Sequence, residues 1–174
     1  MKQKLPYSDF KWISEEEYKI AQAVEDPSRG YFLEVDLEYT DDCKKKTYKF
    51  PLAPEKKVVD VKDLNKWQKD YLEDRSPKIP KLICDLKDKK NYVIHSRLLN
   101  YYQKLGLEVT KIHRIISFRE EDWLAPYIDF NTDMRTKAKT EFEKAIWKLL
   151  NNAFYGKTCE KIRNRVDVEI VNTK

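Results

Sequence analysis

The sequence has 174 residues, enough for one ordinary core or two small subdomains. Lys and Arg number 35 against 30 Asp and Glu, and the net charge of +5 suits a polyanionic partner without requiring one. No stretch has the apolar length that spans a bilayer, and the opening MKQKLPYSDF lacks the apolar run of a secretion signal. We therefore expect a soluble, intracellular protein with no membrane partner, and the sequence does not distinguish nucleus from organelle.

The first forty residues predict a strand, a short helix and a second strand. KQKLPYSDFKWI predicts a strand around a proline turn, and Ser14 followed by Glu17 predicts the start of a helix. After the turn DPSRG, the segment YFLEVDLEYT alternates apolar and polar residues, which predicts a strand with one face in water. We expect Asp36, on that wet face, to be solvated and assign it no role. The apolar positions of this strand are Leu33, Val35, Leu37 and Tyr39.

The remainder of the chain predicts further loops, helices and strands. Residues 41–59 are polar and basic with two prolines, so we expect an extended loop or a β-excursion over the surface. Residues 60–74 have apolar side chains at near-helical spacing, which predicts a modest helix. Residues 81–120 predict a strand, a turn, a strand, a helix, a turn capped by Gly106 and a strand. Residues 161–171 predict a turn and then a strand returning to a sheet. Together these elements predict an α+β fold.

The cysteines and histidines give no sign of a metal site or a catalytic centre. Cys43, Cys84 and Cys159 are odd in number, widely separated and outside any CxxC pattern, so free thiols are expected. His95 and His113 lie in apolar or basic surroundings, where a packed or hydrogen-bonded imidazole is the usual role. We predict no metal ligand and no catalytic residue among these five side chains.

The strongest helical signal runs from Asn131 to Phe154, where neither Gly nor Pro occurs. WLAPYIDFNTD leads into it, and residues 131–133 are cap candidates at its start. Apolar residues recur every three or four positions, which predicts one apolar face along a single long helix. The residues of this face are Met134, Ala138, Phe142, Ala145, Leu149 and Ala153.

A second row of residues follows the flank of the same helix and combines lysines with an amide and a phenol. One interpretation is a solvated flank, which is what most lysine rows are. The other is a triphosphate site, because spaced lysines can meet successive phosphate charges. An amide, an aromatic ring and a glycine would let a base and sugar pack closely. The row consists of Lys137, Glu141, Lys144, Lys148, Asn152 and Tyr155, followed by Gly156.

The end of this helix, KLLNNAFYGKT, fits the pattern KxxxNSxYG. It resembles motif B of the family B DNA polymerases, on the fingers helix that receives the incoming nucleotide. Ala153 departs from the pattern, because the family usually has Ser there and a hydroxyl contact is lost. The resemblance implies a lysine on the β- and γ-phosphates, and an amide and a phenol against the nascent base pair. The nucleotide-binding residues that it implies are Lys148, Asn152, Tyr155, Gly156, Lys144 and Lys137.

The resemblance covers nearly the whole chain. Blocks such as GYFLEVDLEYT, YKFPLAPEKK and YVIHSRLLNYYQKLGLEVTKIHRIISF follow the order of the organellar and viral, protein-primed branch of family B. They look like the Polinton or Maverick transposon polymerases. The resemblance implies a palm edge, an insertion that in relatives contacts primer, template or priming protein, a connecting β-α-β segment, the fingers helix and a return strand to the palm. These segments are residues 1–13, 14–92, 93–130, 131–158 and 159–174.

Two motifs of that family do not occur in the sequence. They are a DxxSLYP-type and a DTDS-type motif, each with an Asp that holds the catalytic metal. The resemblance implies Mg²⁺ for a complete enzyme and none bound by this chain, because nucleotidyl transfer needs two carboxylates to hold the ions. The partners that it implies are primer-template DNA, a dNTP and a terminal priming protein.

Three hypotheses follow for the function. The first is a fragment of a DNA-directed DNA polymerase of a mobile or viral element, which binds DNA and dNTP but does not react alone. The second is a non-catalytic, basic nucleic-acid or protein-interaction module derived from such a polymerase. The third, a purely structural α+β domain, leaves the row of lysine, amide, phenol and glycine unexplained.

Overall fold

A computed structural model describes residues 2–24, 26–72 and 78–168, the side chain of Asn164 excepted. The chain divides into residues 8–119, here called the sheet unit, and residues 1–7 with 120–174, here called the helical unit. It contains both helices and strands, as the α+β prediction requires. In chain order, the elements are β1 (Leu5–Ile13), α1 (Glu15–Val24), β2 (Arg29–Tyr39), α2 (Asp41–Thr47), β3 (Glu55–Lys57), α3 (Lys66–Leu72), β4 (Lys81–Ile83), β5 (Lys89–His95), α4 (Ser96–Lys104), β6 (Leu107–Glu121), α5 (Ala125–Lys137) and α6 (Glu141–Thr158).

Strand β2 is the centre of a four-stranded sheet with the order β1-β6-β2-β5. It pairs antiparallel with both β5 and β6. Leu33, Val35 and Leu37 are at most 1% exposed, so the predicted alternation of this strand is confirmed on its apolar side. Tyr18 of α1 and Leu99 of α4 belong to the same apolar cluster.

Local sequence signals set several boundaries of the sheet unit as predicted. The Ser14 hydroxyl accepts a hydrogen bond from Glu17 N–H at 3.1 Å, and the Glu17 carboxylate accepts one from Ser14 N–H at 2.8 Å. This capping box starts α1. Gly106, in the turn between α4 and β6, has a backbone φ of +94°, a value that residues other than glycine rarely adopt.

The segment predicted as an extended loop is helical in its first part. Thr40 caps α2 by accepting a hydrogen bond from Cys43 N–H at 3.1 Å. Asp41 and Asp42 then lie in the first turn and lysines in the last, an order that suits the helix dipole. The predicted β-excursion follows, because β3 pairs antiparallel with β4 in a separate two-stranded sheet.

Two other expectations are met in part. The modest helix predicted at residues 60–74 is a 3-10 helix, Val61–Asp63, followed by α3. Near the C-terminus the structure has a 3-10 helix, Ile162–Asn164, and residues 165–168 form no strand. The rest of the strand predicted there lies outside the described residues.

Lys89 has no exposed side-chain surface and is held by carboxylates between the two sheets. Its ammonium group pairs with Asp85 and lies 3.3 Å from Glu55, while Lys57 pairs with Asp85 at 2.7 Å. Burial raises the pKa of Asp85, but the hydrogen bonds from Lys57 and Lys89 outweigh burial and lower the pKa to about 2. The cluster thus ties the small β3-β4 sheet to the first residue of β5.

All three cysteines are free thiols, as predicted. Cys43 is buried, and burial raises the pKa of its thiol, whereas Cys84 and Cys159 are exposed. The two imidazoles are hydrogen-bonded as expected. His95 Nδ1 accepts from Arg97 N–H at 3.1 Å and caps α4, and His113 Nε2 lies 2.8 Å from the Asp36 carboxylate.

Candidate functional site

The long helix predicted from the sequence is two helices, α5 and α6. Ala138 has an extended backbone, with φ −62° and ψ 133°, and ends α5. Thr140 then caps α6: its hydroxyl accepts from Glu143 N–H at 3.2 Å, and the Glu143 carboxylate accepts from Thr140 N–H at 3.2 Å. This capping box satisfies backbone groups that a continuous helix would have paired internally, so a break is stable here. The predicted single helix is therefore wrong.

The start of the predicted helix also differs. α5 begins at Ala125 with a proline in its first turn, where the missing N–H has no helical partner to lose. Asn131, predicted as a cap, lies inside α5 and is 1% exposed. Its Nδ2–H donates to Asn151 Oδ1 of α6 at 2.8 Å, so the residue joins two helices and does not start one.

Aromatic rings on α5 and α6 form the contact between these helices. Phe130 meets Trp147 edge to face at 5.9 Å between ring centroids, and Tyr127 meets Phe154 at 5.8 Å. The apolar face predicted for α6 points elsewhere, since Phe142 is 76% and Leu149 64% exposed. The side of α6 that packs on α5 carries the rings of Trp147 and Phe154 instead. Such rings bury a large apolar area.

The predicted site residues that lie on α6 still share one side of that helix. Glu141, Lys144, Lys148, Asn152 and Tyr155 fall within an arc of about 80° at 3.6 residues per turn, beside the side that packs on α5. Lys137 precedes the break and belongs to α5. The structure therefore keeps three of the predicted nucleotide-binding side chains on one exposed flank, with Lys144 half-buried at its edge.

The lysines of this row differ in their partners. Lys137 pairs with Asp133 at 2.5 Å and Lys144 with Glu141 at 2.7 Å. The hydrogen bond from Lys144 lowers the pKa of Glu141. Lys148 is exposed and has no hydrogen-bond or ion-pair partner among the described residues. Of the three ammonium groups, that of Lys148 is thus the one held by no carboxylate in this part of the structure.

Tyr155 lies at the edge of an apolar cavity of about 340 Å³ in the helical unit. The ring is 58% exposed, and its backbone carbonyl accepts a hydrogen bond from the Thr158 hydroxyl at 2.8 Å. The next residue, Gly156, has open space where a Cβ would be, with no atom within 4 Å. The cavity is lined by Leu5, Pro6, Trp123, Leu124, Tyr155 and Thr158.

No local pattern in the sequence indicates the charged cluster around Asp36. This residue was expected to be solvated, but it is 7% exposed. Its carboxylate accepts from Asn91 N–H at 2.9 Å, from Lys90 Nζ at 3.1 Å and from His113 at 2.8 Å. These contacts, the Asn91 bond first, hold the pKa of Asp36 well below its usual range. The partners lie 54 to 77 residues away, so spacing along the strand could not reveal them.

Among residues 2–24, 26–72 and 78–168, no three His, Cys, Asp or Glu side chains come together as metal ligands. The Mg²⁺ that the resemblance implies for a complete enzyme therefore has no fitting donor set in this part of the chain. In the same residues, no helix has the length and apolar character to cross a membrane.

The exposed lysine, amide and phenol on one helix flank, beside an apolar cavity, suit a protein that binds phosphorylated, aromatic ligands. A family model, described as DNA polymerase type B, organellar and viral, matches residues 1–174. The chain belongs to this family, and membership implies DNA-directed DNA synthesis with DNA and dNTP as partners. Comparison with curated proteins and with solved structures gives no match.

Proposed function

We propose that this chain is an internal part of a protein-primed DNA polymerase of a mobile or viral element, and that α6 binds its incoming dNTP. The observation that carries the proposal is the exposed flank of α6. Lys148, Asn152 and Tyr155 share this flank, and the Lys148 ammonium group has no partner among the described residues. A cation without a carboxylate can meet a phosphate at no cost in broken ion pairs.

Each residue of the flank has a distinct task in this proposal. Lys148 donates charge-assisted hydrogen bonds to the β- and γ-phosphates. Asn152 and Tyr155 pack against the nascent base pair, and the bare backbone at Gly156 lets the nucleotide approach closely. Lys144 can also bind the phosphates once its ion pair with Glu141 breaks. Lys137 adds a further positive charge from the end of α5. We assign binding and orientation to these side chains and no step of nucleotidyl transfer.

In the same proposal the chain is divided as the resemblance implies. Residues 1–13 are a palm edge, 14–92 an insertion that contacts DNA or a priming protein, and 93–130 a connecting segment. Residues 131–158 are the fingers, now formed by the end of α5 and by α6, and residues 159–174 return to the palm. The break between α5 and α6, residues 138–140, would then be the tip of the fingers.

A second candidate is a non-catalytic module that binds nucleic acid or protein. It rests on the excess of basic residues in the sequence, 35 Lys and Arg against 30 Asp and Glu. Reading the gene on both sides of this segment separates the candidates. An open frame that continues into DxxSLYP-type and DTDS-type motifs supports the polymerase, and stop codons on both sides support the module.

The direct test uses a polymerase in which the flanking segments are restored. Lys148→Ala removes a charge-assisted hydrogen bond worth about 1.5 to 3 kcal/mol, so incorporation should fall about ten- to a hundredfold. Lys157→Ala is the matched control, because Lys157 lies on another side of α6 and pairs with Glu160. Steady-state incorporation and thermal melting are measured on both variants. If Lys148→Ala and Lys157→Ala show the same nucleotide dependence as the parent, the flank of α6 is only a solvated surface.

A further inference from the structure

A row of aromatic rings crosses all four strands of the sheet unit on the face opposite its apolar core. Phe10 of β1 lies 5.8 Å from Phe118 of β6, measured between ring centroids. Phe118 lies 5.1 Å from Phe32 of β2, and Phe32 lies 5.2 Å from His95 of β5. Trp12 follows Phe10 on β1 with one residue between them, and so faces the same side.

This face, here called the aromatic face, presents Phe10, Trp12 and Phe32 to solvent, while Phe118, which contacts Phe10 and Phe32, is buried. Phe10 is 58%, Trp12 62% and Phe32 36% exposed, and Val93 beside them is 65% exposed. A shallow depression of about 80 Å³ lies between Trp12, Phe32 and Val93. Rings of this size are normally buried, so several of them exposed on adjacent strands mark a binding surface.

On the aromatic face, the cationic side chains are more exposed than the carboxylates with which they pair. Arg114 pairs with Glu34 at 2.5 Å, and Lys90 pairs with Asp36 at 3.1 Å. The cationic side chains are 66% and 72% exposed, while the carboxylates beneath them are only 14% and 10% exposed. The Arg114 guanidinium also lies 5.8 Å from the centroid of the Trp12 ring. The solvent therefore meets rings and cations, and the anions are covered.

We propose that the aromatic face binds single-stranded nucleic acid. Unpaired bases would stack on Trp12 and Phe32, because every base offers a flat aromatic surface. Phosphates would lie near Arg114 and Lys90, whose cationic ends reach solvent. A duplex hides its base faces and fits this surface poorly. An apolar protein partner would have to cover two exposed cations without matching their charge. This site is separate from α6 and stands whether or not α6 binds dNTP.

The test measures binding of fluorescein-labelled oligo(dT) to the full 174-residue chain by anisotropy. Trp12→Ala should weaken binding about tenfold or more, since stacking on one aromatic side chain has an effect of that size. Trp12→Phe keeps a ring and should retain most of the affinity. Trp67→Ala is the matched control, because Trp67 is 72% exposed on α3 and should leave binding unchanged. Melting curves of all variants check that each one folds.

Further arms of the experiment separate the alternatives. Binding should weaken with salt, with a slope near −1.4 if two phosphates are contacted, and Arg114→Gln should flatten that slope. Oligo(rU) in place of oligo(dT) shows whether DNA or RNA binds better.

Three results would each overturn the proposal. They are an affinity for duplex equal to that for the single strand, a loss of affinity in Trp67→Ala as large as in Trp12→Ala, and no loss of affinity in Trp12→Ala. Self-association that Trp12→Ala abolishes, without oligonucleotide binding, would instead make this face an interface between copies. Lys148→Ala should leave oligonucleotide binding intact, so failure of the α6 site is seen separately.

Discussion

Asn131 donates its Nδ2–H to Asn151 Oδ1 at 2.8 Å and joins the middle of α5 to the middle of α6. Asn131 is 1% exposed and Asn151 is half-buried, with the Phe130–Trp147 and Tyr127–Phe154 ring pairs on these same helices. Two amides can bond only in one rotational setting of the helices, whereas packed rings tolerate small slips. The bond therefore selects the face of α6 that meets α5, and with it the flank that stays exposed.

Replacing Asn131 by Leu should destabilise the protein by about 1 to 3 kcal/mol, because the Asn151 amide is left without a partner. The double variant with Leu at both positions should recover part of that loss, since no unpaired polar group remains. Urea unfolding followed by tryptophan fluorescence, to which Trp147 contributes from its contact with Phe130, measures the change. Asn152→Leu, on the exposed flank, is the control and should change stability by about 0.5 kcal/mol or less. Equal stability of the single and double Leu variants would contradict the assignment.

Replacing Gly156 by Ala separates folding from ligand binding. The added Cβ meets no atom within 4 Å, and Gly inside a helix is less favourable than Ala by about 0.5 to 1 kcal/mol. Thermal stability should therefore rise. In the polymerase with restored flanks, nucleotide incorporation should fall, because the methyl group occupies space that the nucleotide needs. Unchanged incorporation together with a raised melting temperature would show that nothing packs against Gly156.

Replacing Asp85 by Asn should destabilise the sheet unit at neutral pH by about 3 kcal/mol, because Lys89 is buried and loses its closest carboxylate. The pKa of Asp85 is about 2 in the folded chain and about 4 in an unfolded one. A lowered folded-state pKa gives stability that is present above pH 4 and is lost as the pH falls from about 4 to 2.

The stability of the parent chain should therefore decrease over that pH window, and Asp85→Asn should decrease less. Urea unfolding at several pH values measures this. Asp63→Asn is the matched control: it removes an exposed pair with Lys87, worth about 1 kcal/mol at most. The same pH profile in the parent and in Asp85→Asn would rule out the role given to this carboxylate.

The chain alone should not extend a primer with Mg²⁺ or Mn²⁺, because both Asp motifs of the family are absent from its sequence. It should still bind primer-template DNA weakly, with an affinity that decreases as salt rises. A gel assay for extension and anisotropy for binding, on the same preparation, test both statements. Template-dependent incorporation by this chain would disprove the first, and salt-independent binding the second.

Prediction from the sequence succeeded where the signal is local. The alternation around Leu33 and Val35, the Ser14–Glu17 capping box and the glycine turn at Gly106 each depend on residues a few positions apart. In such cases the backbone geometry follows from the residue types themselves. The capping box at Thr140 and Glu143 has the same form, so the sequence contains a local signal for the break between α5 and α6. The apolar period continues through this break, and for that reason it favoured a single helix.

Prediction failed where contacts join distant parts of the chain. Asp36 was expected to be solvated, but it is covered by partners on β5 and β6, of which His113 is 77 residues away. Phe142 and Leu149 lie on the apolar face that the sequence predicts, yet they are exposed, because α6 packs on α5 through Trp147 and Phe154. The grouping of Lys148, Asn152 and Tyr155 on one flank needed only the period within α6, so that grouping is confirmed, and nucleotide binding stays a prediction.

The placement of the thiols makes the chain a ready subject for distance measurements. Cys84 lies in the sheet unit and Cys159 in the helical unit, both exposed, while Cys43 is buried and its raised pKa keeps the thiolate scarce. Maleimide reagents react with accessible thiolates, so a donor and an acceptor dye would attach at one position in each unit without any cysteine being removed. Energy transfer between the dyes would then report how the separation of the two units responds when an oligonucleotide or a triphosphate is added.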